Sequence, residues 1–169
     1  MAHVSRMEAV LRHLGVGEVG VDGMAGAATA AEGGAAVFRR SRDSVVFVQT
    51  SVLQAPTSAQ GPFGLLMPRS DAIVKREGAG SGVVWDAAGH IVTNAHVVRQ
   101  ASSVEVGFRG VGKTVSAKLV GADAVTDLAV LKVDPKGMGH ALAPISRGQS
   151  QRLEVGDEVF ALGNPFGLD

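Results

Sequence analysis

The sequence predicts an all-β fold, a small antiparallel barrel with a short helix ahead of it. Three observations carry that expectation. Runs rich in Val, Ile and Thr recur at close spacing between Ser44 and Val133. Two of them alternate apolar and polar residues with a period of two. No long amphipathic helix stands between the runs, so neighbouring strands pair directly rather than through crossovers.

Taken in order, the chain opens with a helix signal. Ser5 and Glu8 form a capping box, and Met7, Val10, Leu11 and Leu14 follow at helical spacing until Gly15. From Gly15 to Ala36 the chain is mostly Gly and Ala, with too few large side chains to bury much apolar surface. Residues 1–36 are therefore expected to be a short helix and a flexible segment. The folded body, residues 37–134, begins near Val37, with Ser44 to Val52 as its first strand. Gln54 to Gly80 reads as a long connection, because Pro56, Pro62 and Pro68 rule out one regular element. Its apolar Phe63, Leu65, Leu66 and Met67 are expected to fold back on the body or to meet a neighbouring subunit.

Val83, Val84 and Trp85, then Ile91, Val92 and Thr93, flank the turn Asp86-Ala87-Ala88-Gly89 as a hairpin. The second arm delivers Asn94, Ala95 and His96, while His90, beside the turn, is expected to be exposed. Val104, Val106 and Phe108 form an alternating strand, and Val115, Ala117 and Leu119 share one face of another. Leu128 to Val133 is almost continuously apolar and is expected to be the more buried strand. Six strands suffice to close a barrel around an aliphatic core. Residues 135–169 read as a connector followed by one further strand, Val155 to Leu162, ending at Gly163-Asn164-Pro165-Phe166-Gly167. A lone strand needs a sheet to join, so the sequence reads as incomplete.

Composition narrows the function classes. Sixteen basic and sixteen acidic residues leave no net charge, which argues against nucleic acid as a partner. With no cysteine, thiol nucleophiles, disulfides and thiolate metal sites are excluded. No apolar run is long enough for a transmembrane helix. A zinc site using His90 and His96 is disfavoured, because no third ligand lies nearby in sequence and the strand between them separates their directions. His3, His13 and His140 stand apart from any carboxylate cluster.

The chemistry concentrates on His96 and Asp127. Asp127 sits at a loop-to-strand boundary just ahead of the most apolar strand, where a partly buried carboxylate needs a partner. A histidine ring N–H is a natural one. The carboxylate then fixes the tautomer and leaves the other ring nitrogen free to act as a base. The two residues are 31 apart, consistent with meeting at one barrel rim. An ordinary structural histidine is the alternative for His96.

Four segments together resemble the Deg/HtrA family of trypsin-like serine endopeptidases. They are Gly80-Ser81-Gly82, Thr93-Asn94-Ala95-His96-Val97-Val98, Asp127-Leu128-Ala129-Val130 and Gly163-Asn164-Pro165-Phe166-Gly167. The likeness covers roughly residues 42 to 169 and is greatest to the plant, algal and cyanobacterial branch. It implies a trypsin-like β-barrel as the first of two, with the active site between them. His96 would be the general base and Asp127 its orienting carboxylate, with no metal or organic cofactor. The resemblance also implies ATP-independent cleavage of unfolded or damaged proteins by a homo-oligomer, a trimer or a multiple of one, and often C-terminal PDZ domains.

In that family the nucleophile lies in a Gly-Asn-Ser-Gly-Gly motif of the second barrel, which is absent here. Ser146 and Ser150, the only serines after Asp127, lack the glycine-rich turn that exposes a nucleophilic hydroxyl. Residues 1–169 alone are therefore expected to be inactive. The alternative is a non-catalytic partner or regulatory subunit of full-length relatives. A chloroplast setting rests on the branch resemblance, and no transit-peptide composition accompanies it.

Overall fold

The computed structural model describes residues 33–54 and 74–167, together with Ala9 and Arg12. Of the expected N-terminal helix only Ala9 and Arg12 are among them, both helical, and the apolar patch Phe63 to Met67 lies outside the described residues. Helix α1, Gly34–Ser41, opens the described body and passes through a 3-10 turn, Arg42–Ser44, into strand β1, Val45–Gln54. Strand β2 is Val74–Val84 and β3 is His90–Asn94. A single turn of helix, α2, Ala95–Val98, follows. Strands β4, Ser103–Gly107, β5, Thr114–Asp123, and β6, Leu128–Lys132, complete the set.

All six strands pair antiparallel and close into a barrel in the order β1-β2-β3-β6-β5-β4. Closure pairs every strand with two neighbours, although β2 meets β3 only over Gly82–Val84. The interior is aliphatic, as the scarcity of aromatics requires. Val46, Val48, Val84, Ile91, Val106, Leu131 and Val133 are all essentially inaccessible to solvent. Each such side chain contributes about 1.5–3 kcal/mol on transfer from water. β6 is buried on both faces, as its continuous apolar run indicates. Trp85, Val92 and Val130 form a second cluster, separate from the interior one, with Val83 and Leu128 packed against it.

Four local expectations are corrected. Gly34 to Ala36, placed in the flexible segment by composition, is helical, and the helix docks on later chain: a Cβ added at Gly34 would lie 2.8 Å from the Phe160 ring. β2 begins at Val74, inside the stretch expected to be a connection. Its early part has no apolar alternation and is held by ladder pairing with β1, out to Gln54 opposite Val74. Leu119, expected to share a face with Val115 and Ala117, is 50% exposed while Ala117 is buried. Leu119 stands opposite Leu131 where β5 bulges between Leu119 and Gly121, and a bulge bends its strand out of the regular pleat. Val155 to Leu162 forms no strand, and Val155 and Val159 lie exposed.

The chain after β6 returns over the barrel. Met138 is buried in the core, and Leu142 packs against it. The Ile145 N–H donates to the Val84 carbonyl at 2.9 Å, and the Arg147 guanidinium lies 4.8 Å from the Trp85 ring centroid.

Candidate active site

Local chemistry builds the site from two directions. The turn between β5 and β6 is fixed by Asp123, whose carboxylate accepts from the Val125 N–H at 2.9 Å and from the Thr126 hydroxyl at 2.7 Å. Such Asx geometry holds a tight reversal. Asp127 leaves the turn with φ 55°, a left-handed conformation rare outside glycine. It costs a side-chain-bearing residue about 1–2 kcal/mol, and Asp tolerates it better than most. On the other side, β3 ends at Asn94 and α2 turns the chain away, anchored by buried Ala95 and Val98. Val97 packs on Gly80, where an added Cβ would lie 2.7 Å from Val97 Cγ2. Only glycine lets this turn sit so near β2.

The β3–β6 register sets Asn94 opposite Leu128, and so brings the two ends together at one rim. His96 Nδ1 lies 2.6 Å from Asp127 Oδ2, and the His96 backbone N–H donates to Asp127 Oδ1 at 2.9 Å. Asn94 Nδ2 donates to Asp127 Oδ2 at 3.1 Å and to the Asp127 carbonyl at 3.2 Å. That carbonyl also accepts from the Ala95 N–H at 3.0 Å. An ionised carboxylate only accepts, so Nδ1 carries the proton and Nε2 holds the free lone pair. The His96 N–H, then the ring N–H, and further Asn94 hold the Asp127 carboxyl below its ordinary value against an opposing effect of desolvation. His96 is 69% exposed and Asp127 43%. The His96 ring is thus presented to solvent by a braced carboxylate. Among the described residues, no serine is hydrogen-bonded to His96, and no three His, Cys, Asp or Glu are grouped to hold a metal ion.

The Gly163–Gly167 segment reaches the same neighbourhood. The Asn164 N–H donates to Ser81 Oγ at 2.7 Å, and the Ser81 carbonyl accepts from the Thr93 hydroxyl at 2.8 Å. The four sequence segments singled out at the start are therefore linked by contact: Gly80 with Val97, Ser81 with Thr93 and Asn164, Asn94 and His96 with Asp127.

Comparisons with known proteins give the family. A family model described as "Trypsin-like peptidase domain" matches residues 80–169, just over half of the chain. This chain belongs to the trypsin-like peptidases, in their Deg/HtrA branch. It is 41% identical over 143 residues to "Putative serine protease HhoA" of Synechocystis, covering 85% of this chain and 36% of that protein. It is 43% identical over 134 residues to "Protease Do-like 1, chloroplastic" of Arabidopsis thaliana, covering 79% of this chain and 27% of that one. The solved "HtrA-type protease AlgW with decapeptide" superposes with a TM-score of 0.54 at 30% identity, over 73% of this chain and 38% of that structure. A variant form of it reaches 0.61. The Deg/HtrA chain described here thus spans well under half the length of these relatives.

Two features escaped the sequence. Asn94 carries no signal by itself, because its meaning depends on pairing with β6. His90, expected exposed, is instead one half of a second His–Asp pair. Its backbone N–H donates to Asp86 Oδ1 at 3.1 Å, and its Nδ1 lies 2.6 Å from Asp86 Oδ2, with the side chains only 18% and 10% exposed. The cause is the turn itself, which folds Asp86 back over the start of β3. Burial opposes ionisation of Asp86, but the hydrogen bonds and charge of His90, and further Lys132, leave its carboxyl below the ordinary value. The Lys132 ammonium is itself tied to the Ala88 carbonyl at 2.7 Å. A depressed folded-state pKa contributes stability above the unfolded value of about 4 and loses it as pH falls through the folded value. Asp86→Asn is therefore expected to lower stability at pH 7 and to flatten the acid limb below about pH 4, read by urea melts across pH. An unchanged acid limb would assign the pH dependence elsewhere.

Proposed function

We propose that this chain supplies the acid–base half of a serine endopeptidase, with His96 and Asp127 as two members of the triad. The observation that carries the proposal is the 2.6 Å contact between His96 Nδ1 and Asp127 Oδ2, with the outer edge of the ring open at the barrel rim. In the reaction, His96 Nε2 takes the proton of an attacking serine hydroxyl, and later returns it to the leaving amine. Asp127 remains ionised, orients the ring and stabilises the imidazolium. The nucleophile and the oxyanion donors belong to a second barrel, whose position relative to this rim the family resemblance supplies. Residues 1–169 alone hold neither and are expected to be inactive.

The domain plan that goes with this is a first barrel over 37–134, preceded by residues 1–36 and followed by a connector and the opening of a second barrel in 135–169. Substrates are unfolded or damaged proteins, cleaved without ATP by a homo-oligomer. A chloroplast setting is supported by the name of the Arabidopsis relative, which is chloroplastic.

A chimera tests the reading. Residues 1–169 joined to the remaining length of the Synechocystis relative are expected to cleave casein, while residues 1–169 alone do not. A folded chimera without activity, beside an active parent, would overturn it. Retention of residues 1–169 by the intact relative in sedimentation, without activity in the chimera, would favour the non-catalytic partner instead.

A further inference from the structure

We propose that Asn94 is a positioning residue that locks Asp127 in the one orientation from which its carboxylate can hold the His96 ring. The inference rests on the reading of His96 and Asp127 as an acid–base pair and extends it to a third side chain.

Three observations converge. First, Asn94 occupies the N-cap position of α2, where Asn ordinarily bonds the helix's own N–H groups, yet its side chain makes no capping bond. Second, the same amide reaches two atoms of one residue, Asp127 Oδ2 at 3.1 Å and the Asp127 carbonyl at 3.2 Å. Both are acceptors, so the amide nitrogen must face them, with one N–H for each. Gripping the carbonyl and the carboxylate together fixes the side-chain torsions relative to the main chain. Third, Asp127 stands at φ 55°, a conformation that persists only where its surroundings hold it. The Ala95 N–H and Asn94 are the donors that hold its carbonyl.

The chemistry follows from these bonds. Asp127 Oδ1 is held by the His96 backbone N–H, and Oδ2 faces both His96 Nδ1–H and Asn94 Nδ2. Without Asn94, Oδ2 keeps the ring as its only side-chain donor among the described residues, and the carboxylate gains freedom to rotate about its own axis. A histidine held by a rotating carboxylate samples misdirected orientations, and displacements of this kind cost about a hundredfold in rate.

Nuclear magnetic resonance on residues 1–169 tests this without any enzymatic readout. Asn94→Leu, Asn94→Ser and Asn94→Asp are compared with the parent by the side-chain carboxyl titration of Asp127 and the Nδ1–H proton of His96. In Asn94→Leu the Asp127 titration is expected to move up and the Nδ1–H signal to broaden. Asn94→Ser keeps capping chemistry but cannot span both acceptors, so it is expected to behave like Asn94→Leu. In Asn94→Asp two carboxylates share the position, and one of them is expected to titrate far above the ordinary range. In the chimera, Asn94→Ser is expected to lower kcat about 10- to 100-fold with KM unchanged.

Parent-like Asp127 and His96 signals in Asn94→Ser would show that Asn94 does not hold the carboxylate and overturn the proposal. Should Asn94→Leu unfold, Asn94→Ser decides alone. An inactive chimera with these shifts intact refutes the catalytic reading and leaves the positioning role standing; an active chimera without the shifts does the reverse.

Discussion

Replacing His96 by alanine is expected to abolish casein cleavage by the chimera, with a fall in kcat of about 10⁶, the scale at which triad members act as a unit. The fold should be untouched. His96 is 69% exposed, and its backbone N–H, which holds Asp127 Oδ1, survives the substitution. What disappears is the ring, the proton acceptor in the proposed mechanism. Asp127→Asn is the companion variant. It keeps the shape of the carboxyl group but can present an N–H to Nδ1, favouring the wrong tautomer, and is expected to cost about 10⁴. Both are measured by peptide hydrolysis beside circular-dichroism melts. Cleavage retained in His96→Ala, in a chimera that melts like the parent, removes His96 from the mechanism.

Gly89→Ala is expected to have the largest effect on stability, a loss of about 2–4 kcal/mol. Gly89 stands at φ 102°, and an added Cβ would meet the Val133 carbonyl oxygen at 2.5 Å. A main-chain oxygen cannot swing aside as a flexible side chain would. The same glycine donates its N–H to the Asp86 carbonyl at 3.3 Å and accepts from the Val133 N–H at 3.0 Å. A shift there loosens the hairpin, the Asp86–His90 pair and the end of β6 together. Gly110→Ala is the control: φ is also positive, 69°, but nothing lies within 4 Å of the added atom. It should cost only the backbone term, about 1–2 kcal/mol. Equal losses in the two variants, by urea denaturation, would show that the contact with Val133 adds nothing.

The barrel was legible in the sequence because its strands announce themselves locally. The alternation of Val104 and Val106 with Ser103 and Glu105 reappears as alternating burial in β4. The unbroken apolar run of β6 reappears as a strand buried on both sides. The early part of β2 had no such signal, because Lys75 to Gly80 is held by the ladder with β1 rather than by a buried face. Val155 to Leu162 had the strand composition and no partner. β propensity describes a residue's fit to a pleated surface and does not supply one. Helix α1 was missed for a related reason: its Gly and Ala content looks flexible until Phe160 is seen against Gly34.

By itself, the sequence determined the barrel class, the aliphatic core, the absence of thiol chemistry and the pair His96 and Asp127, all carried by residue type and short-range spacing. Only the tertiary structure decided what those residues are held by. The antiparallel register of β3 against β6 sets Asn94 beside the Asp127 turn, the strained turn after β5 aims the carboxylate, and Gly80 makes room for the helical turn that carries the histidine. The same folding-back gave His90 a buried partner in Asp86. Hydrogen bonds between residues more than thirty positions apart depend on strand register, and register is a property of the closed barrel rather than of any one segment.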